Sequence, residues 1–347
     1  MKRQVFAAPL VVLALVLAGC GGSDAADDGD TKVAFVVANS QLNFAVEMSA
    51  GFRTGVHKFA GVAADVMGPD IVDGPRQVQM FKDTTKTFKD GISVFTLSPE
   101  IFAAPIAAAV RDGIPVIAVD NPLLSASNVK LFVGNDNYEL GKMLADQAIA
   151  KLPANATGKI VIGTSSPGAP VLDRRVKGIR DELKAKLPGV TVFGPFDTKQ
   201  EVAANLAAWE TLVKVNPAAL AFLGTGDADG YHLAEIRRTT KGKWIAGAFD
   251  LDPKSLAAVK AGQLLLVSPE HFVKGALAGR LQAKHAKDGE ALPEGWLYTP
   301  GLAVNSDNID AVLARQATQE TRAAALNPQI DAILADKSHL RPLTDAS

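Results

Sequence analysis

Cysteine is almost missing from this chain. Its 347 residues include one, Cys20, so no intramolecular disulfide can brace the fold. A lone cysteine offers no thiolate cluster, and His57, His232, His271, His285 and His339 show no metal-ligand spacing, so no metal is expected. The glycine-rich run Gly224-Thr225-Gly226-Asp227-Ala228-Asp229-Gly230 lacks the closing Glu of a twelve-residue calcium loop. Basic residues are not in excess, with 36 Lys and Arg against 37 Asp and Glu, which argues against a nucleic-acid partner. Phosphate-loop signatures are absent. Ser165-Ser166-Pro167-Gly168 lacks the flanks of a nucleophile elbow. No cofactor and no enzymatic activity are expected.

The longest early apolar run, Leu10 to Ala18, is too short to cross a hydrocarbon core, which takes about 20 helical residues. With Lys2 and Arg3 before it and small residues after it, the run reads as a secretory signal, residues 1–20. Its end, Leu17-Ala18-Gly19-Cys20, resembles the bacterial lipobox, which implies lipidation at Cys20 and a lipid anchor on the outer face of the membrane. Residues 21–31 contain no large apolar side chain through Asp30 and read as a flexible tether. Removal of the signal takes away two basic residues and leaves a mildly acidic mature chain. Length allows two domains, and an apolar content of 48% supplies their cores.

From Lys32 onward, short β-rich runs alternate with amphipathic stretches. Val33-Ala34-Phe35-Val36-Val37 is continuously apolar, as in a strand covered on both faces. Phe44, Met48, Phe52, Val56 and Phe59 then follow at helical spacing. Comparable runs fall at 93–97, 115–119, 159–163, 219–223 and 244–249. Asp136 with Glu139 three residues on is a capping box opening another helix. Repeated strand–helix alternation predicts an α/β fold of two doubly wound parallel-sheet lobes joined by a hinge.

Ligands of open parallel sheets collect beyond the carboxyl ends of the strands. In this chain those ends carry amides and carboxylates: Asn39 after Val37, Asp120 and Asn121 after Val119, Asp250 after Phe249, and Thr225 with Asp227 after Leu223. Carboxylates and amides match adjacent hydroxyls, and rings such as Phe44 and Phe196 suit the C–H face of a polyhydroxylated ligand. The same residue types also cap helices and make turns.

These segments resemble the type I periplasmic binding proteins, the group that binds ribose, related pentoses, polyols and autoinducers. The resemblance rests on Val33 to Arg53, on Ile114-Pro115-Val116-Ile117-Ala118-Val119-Asp120, on Gly134-Asn135-Asp136-Asn137 with Gly141, and on Gly247-Ala248-Phe249-Asp250. It covers roughly residues 32–304. It implies ligand contacts from Asn43, Phe44, Asp120, Phe196 and Asp250. It also implies a cleft arginine near Asp173, with Arg174 favoured over Asp173, and a late polar contact at or near Glu270. His271 beside it could touch the ligand as well, but an ordinary packed or surface side chain is the favoured reading. Two departures stand out: Ala45 follows Phe44 where a second ring is usual, and Asn121 stands where an Arg is frequent. The expected lobes are 32–134 plus about 271–300, and 135–270 plus about 301–325, joined by three crossing segments. Residues 326–347 form an extension whose role the sequence does not show.

By the same resemblance the protein captures a sugar, polyol or furanosyl signal by hinge closure, as a monomer, and delivers it to an ABC permease. A sensory binding protein and a secreted carbohydrate-active enzyme are the alternatives.

Overall fold

The computed structural model describes residues 31–346; the expected signal, Cys20 and the tether up to residue 30 lie outside the described residues. The strands in chain order are β1 (Thr31–Val36), β2 (Val62–Met67), β3 (Ile92–Val94), β4 (Val116–Val119), β5 (Leu131–Gly134), β6 (Gly158–Thr164), β7 (Val190–Asp197), β8 (Ala219–Gly224), β9 (Ile245–Phe249), β10 (Leu265–Ser268), β11 (Gly295–Tyr298), β12 (Leu302–Val304) and β13 (Leu340–Arg341). They form two sheets, ordered β13-β11-β5-β4-β3-β1-β2 and β12-β10-β9-β8-β6-β7. Stripped of their last-added strands, the two sheets share one winding order, and each reverses direction beside its first strand. That reversal is where an open α/β sheet presents a crevice.

The helices are α1 (Asn43–Val56), α2 (Gly74–Thr87), α3 (Pro99–Arg111), α4 (Asn137–Ile149), α5 (Pro170–Lys186), α6 (Val202–Val215), α7 (Asp227–Thr240), α8 (Pro253–Lys260), α9 (His271–Asp288), α10 (Ile309–Gln316) and α11 (Gln319–Ala335). Continuous apolar strands make sense because helices cover both faces of each sheet. On β1, Val33 and Phe35 pack with Met48 and Phe52 of α1 and Phe272 and Ala276 of α9, whereas Ala34 and Val36 pack with Phe81 of α2 and Phe102 of α3. In the second lobe, Val161 and Phe222 face α6 and α7, and Ile160 and Ile162 face α4 and α5.

Two helix pairs approach closely enough to need glycine. A Cβ on Gly275 of α9 would lie 1.9 Å from the Met48 carbonyl oxygen of α1. One on Gly178 of α5 would lie 2.0 Å from that of Tyr138 in α4. These packed pairs lie one in each lobe.

The chain crosses between lobes from β5 to α4, from β10 to α9 and from β11 to β12. It also crosses a fourth time, where the expectation was three. Ile309 and Val312 of α10 belong to the second-lobe core, while Leu326, Ile330 and Ile333 of α11 are buried with α1 and α9 in the first. The return therefore falls at Ala317–Thr318, ahead of the expected change at 325. Residues 326–346 are part of the first lobe and include β13, which pairs antiparallel with β11 on the sheet edge.

Polar side chains tie these crossings together. Asn135 donates to the Thr299 carbonyl at 2.8 Å, and Trp296 Nε1 donates to the Gly134 carbonyl at 2.8 Å. Arg315, at the end of α10, holds the buried Glu270 at 2.6 Å. Gln316 donates to Glu47 of α1, and Arg322 donates to Gln316.

Candidate functional site

The carboxyl ends of both sheets open on one small cavity. Its walls carry Phe44, Phe95, Leu97, Asp120 and His271 from the first lobe and Ser165, Arg175, Asp227 and Asp250 from the second. The lobes touch at its mouth, where Leu97 packs against Ala169, Val171 and Leu172. Phe44, Asp120, Arg175, Asp227, Asp250 and His271 are each at most 7% exposed, so their polar atoms must find partners in the protein or in a ligand.

Asp120 and Asp250 are positioned in the same way. Each is the residue after a central strand, β4 and β9. Each donates its backbone N–H onward to the next strand, Asp120 to Val133 at 2.8 Å and Asp250 to Val267 at 3.0 Å. Each then turns through a left-handed φ, 64° and 73°. Aspartate tolerates that conformation better than most side chains, and the turn swings the carboxylate off the sheet and over its end.

Asp120 is ion-paired with Lys274 of α9, which is fully buried and also donates to Asn135 Oδ1 at 2.8 Å. Burial pushes the Asp120 carboxyl up, but Lys274, His271 and Arg175 together outweigh it and hold the group at about 2. Burial lowers Lys274 itself, against the pull of Asp120. Asp250 Oδ1 faces His271 Nε2 at 2.8 Å. Burial and then the neighbouring Lys274 charge depress the His271 pKa, so the ring is neutral.

Arg175 enters from α5. Its Nε donates to Asn137 Oδ1 at 2.9 Å and one terminal nitrogen donates to the Thr225 carbonyl at 2.8 Å. Its guanidinium lies 4.4 Å from the Phe249 ring centroid. Two ties and a stacking face leave the remaining edge for the cavity. Asp227 opens α7 with Oδ1 buried and without a hydrogen-bond partner among the described residues. Burial, followed by Asp250, Asp252, Glu47 and Asp229, pushes its carboxyl well above the ordinary range. Two residues on, Asp229 accepts from Asn205, Trp209, Thr198 and the Gly226 N–H, so it anchors the loop that presents Asp227.

Of the side chains expected at the site, Phe44, Asp120, Asp227 and Asp250 line this cavity, and the others do not. Asn39 accepts from the N–H groups of Gln41 and Leu42 at 2.7 Å each and so shapes the turn into α1. Asn43 begins α1 with its Nδ2 buried and without a hydrogen-bond partner among the described residues. Asn121 donates to the Thr96 carbonyl at 2.8 Å and ties the β3 and β4 ends together. The Thr225 hydroxyl bonds that of Thr164 at 3.0 Å. Glu270 is committed to Arg315, and Phe196 is an exposed residue of β7.

The cleft arginine is Arg175. Asp173 is exposed and Arg174 only half-buried, because the buried face of α5 runs through Val171, Arg175 and Gly178. The second ring is Phe95, edge-on to Phe44 at 5.7 Å, rather than Phe196. Lys274 and Ser165 were not expected; His271, which the sequence offers as a contact beside Glu270 but favours as a packed or surface side chain, lines the cavity. A strand-end reading of Leu264 to Val267, another apolar run, would have drawn attention to His271.

A profile described as periplasmic binding protein domain matches residues 33–291. The D-allose-binding periplasmic protein of Escherichia coli K12 is 27% identical over 261 residues, 72% of this chain and 83% of that one. The xylitol-binding protein of Mycolicibacterium smegmatis is 26% identical over 320 residues, 89% and 87% of the two chains. Among solved structures, an ABC transporter solute-binding protein from Burkholderia graminis in complex with D-arabinose superposes with a TM-score of 0.74 at 25% identity, covering 81% of this chain and 97% of that one. One from Agrobacterium vitis with bound D-fucose gives 0.75 at 21% identity over 80% and 97%, a likeness of fold.

Proposed function

The chain belongs to the periplasmic binding protein family, and from that premise we propose that it is an extracytoplasmic lipoprotein capturing a sugar or sugar-like polyol for an ABC importer. The observation that carries this reading is the convergence of Asp120, Asp227, Asp250 and Arg175 with Phe44 and Phe95 on one cavity between two lobes. Carboxylates accept from vicinal hydroxyls, Arg175 donates to a ligand oxygen, and the two rings cover a C–H face. None of this requires a nucleophile or a proton shuttle, so capture needs no chemical step.

Closure supplies the mechanism. The two lobes rotate about the crossings, and ligand bound from both sides favours the shut state because only that state offers both sets of partners. The shut form is what a permease recognises. Leu97 against Val171 and Leu172 forms the apolar lip of that state. The protein acts as a monomer, tethered to the membrane through lipid on Cys20.

Calorimetry with D-allose, xylitol and D-arabinose tests the binding role. At least one should bind the wild type, and Asp250→Ala should lose it while keeping its circular dichroism. Undiminished affinity in Asp250→Ala defeats the site. For the anchor, Cys20→Ser should move the protein from the membrane to the soluble fraction.

A further inference from the structure

His271 is a cavity side chain whose hydrogen-bonding is half finished; Asp227 Oδ1 and Ser165 Oγ in the same cavity also lack a partner among the described residues. Its ring is 3% exposed. Nε2 meets Asp250 Oδ1 at 2.8 Å, whereas Nδ1 is buried with no partner among the described residues. A carboxylate oxygen accepts and does not donate, so the proton of the neutral ring sits on Nε2. Nδ1 is then a bare acceptor, and burying an acceptor without a donor is unfavourable. The Phe44 ring, 6.0 Å away by centroid and tilted 48°, holds the imidazole from the side.

Charge around it is arranged to cancel. Asp120 is neutralised by Lys274, and the Asp250 carboxylate shares the cavity with the Arg175 guanidinium. Asp227 is buried among carboxylates and forms no salt bridge among the described residues, conditions that favour its protonated form. A ligand entering this cavity meets no net charge to balance. What it meets is an acceptor, Nδ1, held in place by the same carboxylate that faces the ligand.

We propose that His271 is a ligand-binding, specificity-determining residue whose Nδ1 accepts from one hydroxyl of an uncharged polyhydroxylated ligand. The proposal rests on the binding role argued above. Asp250 thereby acts twice, once directly and once by fixing which ring nitrogen is free, and the site reads a hydroxyl that no carboxylate reaches.

The test is calorimetry of the full mature chain with D-allose, xylitol and D-arabinose, followed by singly deoxygenated analogues of whichever binds. His271→Phe keeps a ring of similar shape and removes the acceptor; its affinity should fall about tenfold or more. His271→Gln can donate to Asp250 and still offer an oxygen, and should stay within about threefold of wild type. One deoxy analogue should bind the wild type about tenfold more weakly than its parent does, yet bind His271→Phe no worse than its parent. Equal losses in His271→Phe and His271→Gln, or penalties that add for every analogue, would mean that the ring only packs, and would overturn the proposal. Binding of none of the three ligands by the wild type would overturn the sugar-capture reading and this proposal with it. Wild-type binding with an unaffected His271→Phe overturns the proposal alone.

Discussion

Glu47 lies on α1 where that helix meets the fourth crossing, and its carboxyl is out of step with neutral pH. Burial drives it up from 4.5 to about 7; Arg322 and Gln316 pull it back, and Glu270 and Asp250 push it further. The sign follows from comparing the two states. Unfolded, the group loses its proton near 4.5; folded, it keeps it until about 7. Between those values the native chain holds a proton that the unfolded chain has released, so raising the pH favours unfolding. Its contribution is fully present below 4.5, is lost across that window and is flat above it. A rise of that size corresponds to about 3 kcal/mol. Glu47→Gln removes the titration and keeps an oxygen for Gln316. In ligand-free urea unfolding at pH 5 and pH 8, the variant should gain on the wild type by up to about 3 kcal/mol between the two conditions. A stability difference that is the same at both pH values would refute the reasoning.

Other perturbations follow from named contacts. Lys274→Met leaves Asp120 charged and buried, and should cost about 3–5 kcal/mol by denaturant unfolding, while the double variant Lys274→Met/Asp120→Asn recovers much of it. The same pair is stabilising above pH 3.8 and should weaken as pH falls through about 2, where Asp120 takes its proton. Gly275→Ala should destabilise by about 1–3 kcal/mol or more, since its methyl meets the Met48 carbonyl and α9 must move off α1; an unchanged melting temperature would contradict that packing. Phe196→Ala should leave ligand affinity within about twofold of wild type, because that ring is exposed outside the cavity.

Much of the architecture is legible because parallel strands covered on both faces need unbroken apolar runs, and those runs are plain to read. Of the capping box expected at Asp136, the first half is present, Asp136 accepting from the Tyr138 and Glu139 N–H groups, whereas the Glu139 side chain pairs with Lys142 instead of reaching back. The fourth crossing is harder to see. Helix α11 is weakly amphipathic along its length, and only Leu326, Ile330 and Ile333 are buried, so its sequence does not announce which lobe it joins. β13 is two residues long, too short to carry a pattern.

The site divides on a similar physical line. Asp120 and Asp250 are legible because a strand that ends in a left-handed turn sends its next side chain over the sheet end, whatever the loop does later. Arg175 is a matter of helix phase. Three consecutive residues, Asp173, Arg174 and Arg175, differ by about 100° each around the axis, so at most one faces the cleft. Val171 lies four residues before Arg175 and Ile179 four after, and that apolar series selects Arg175 over its neighbours. The same test extends to α9, where Lys274 sits one step before Gly275 and three after His271. Both face inward because the glycine lets α9 lie against α1, so the close helix contact that Gly275 permits is also what carries Lys274 to Asp120 and His271 to Asp250.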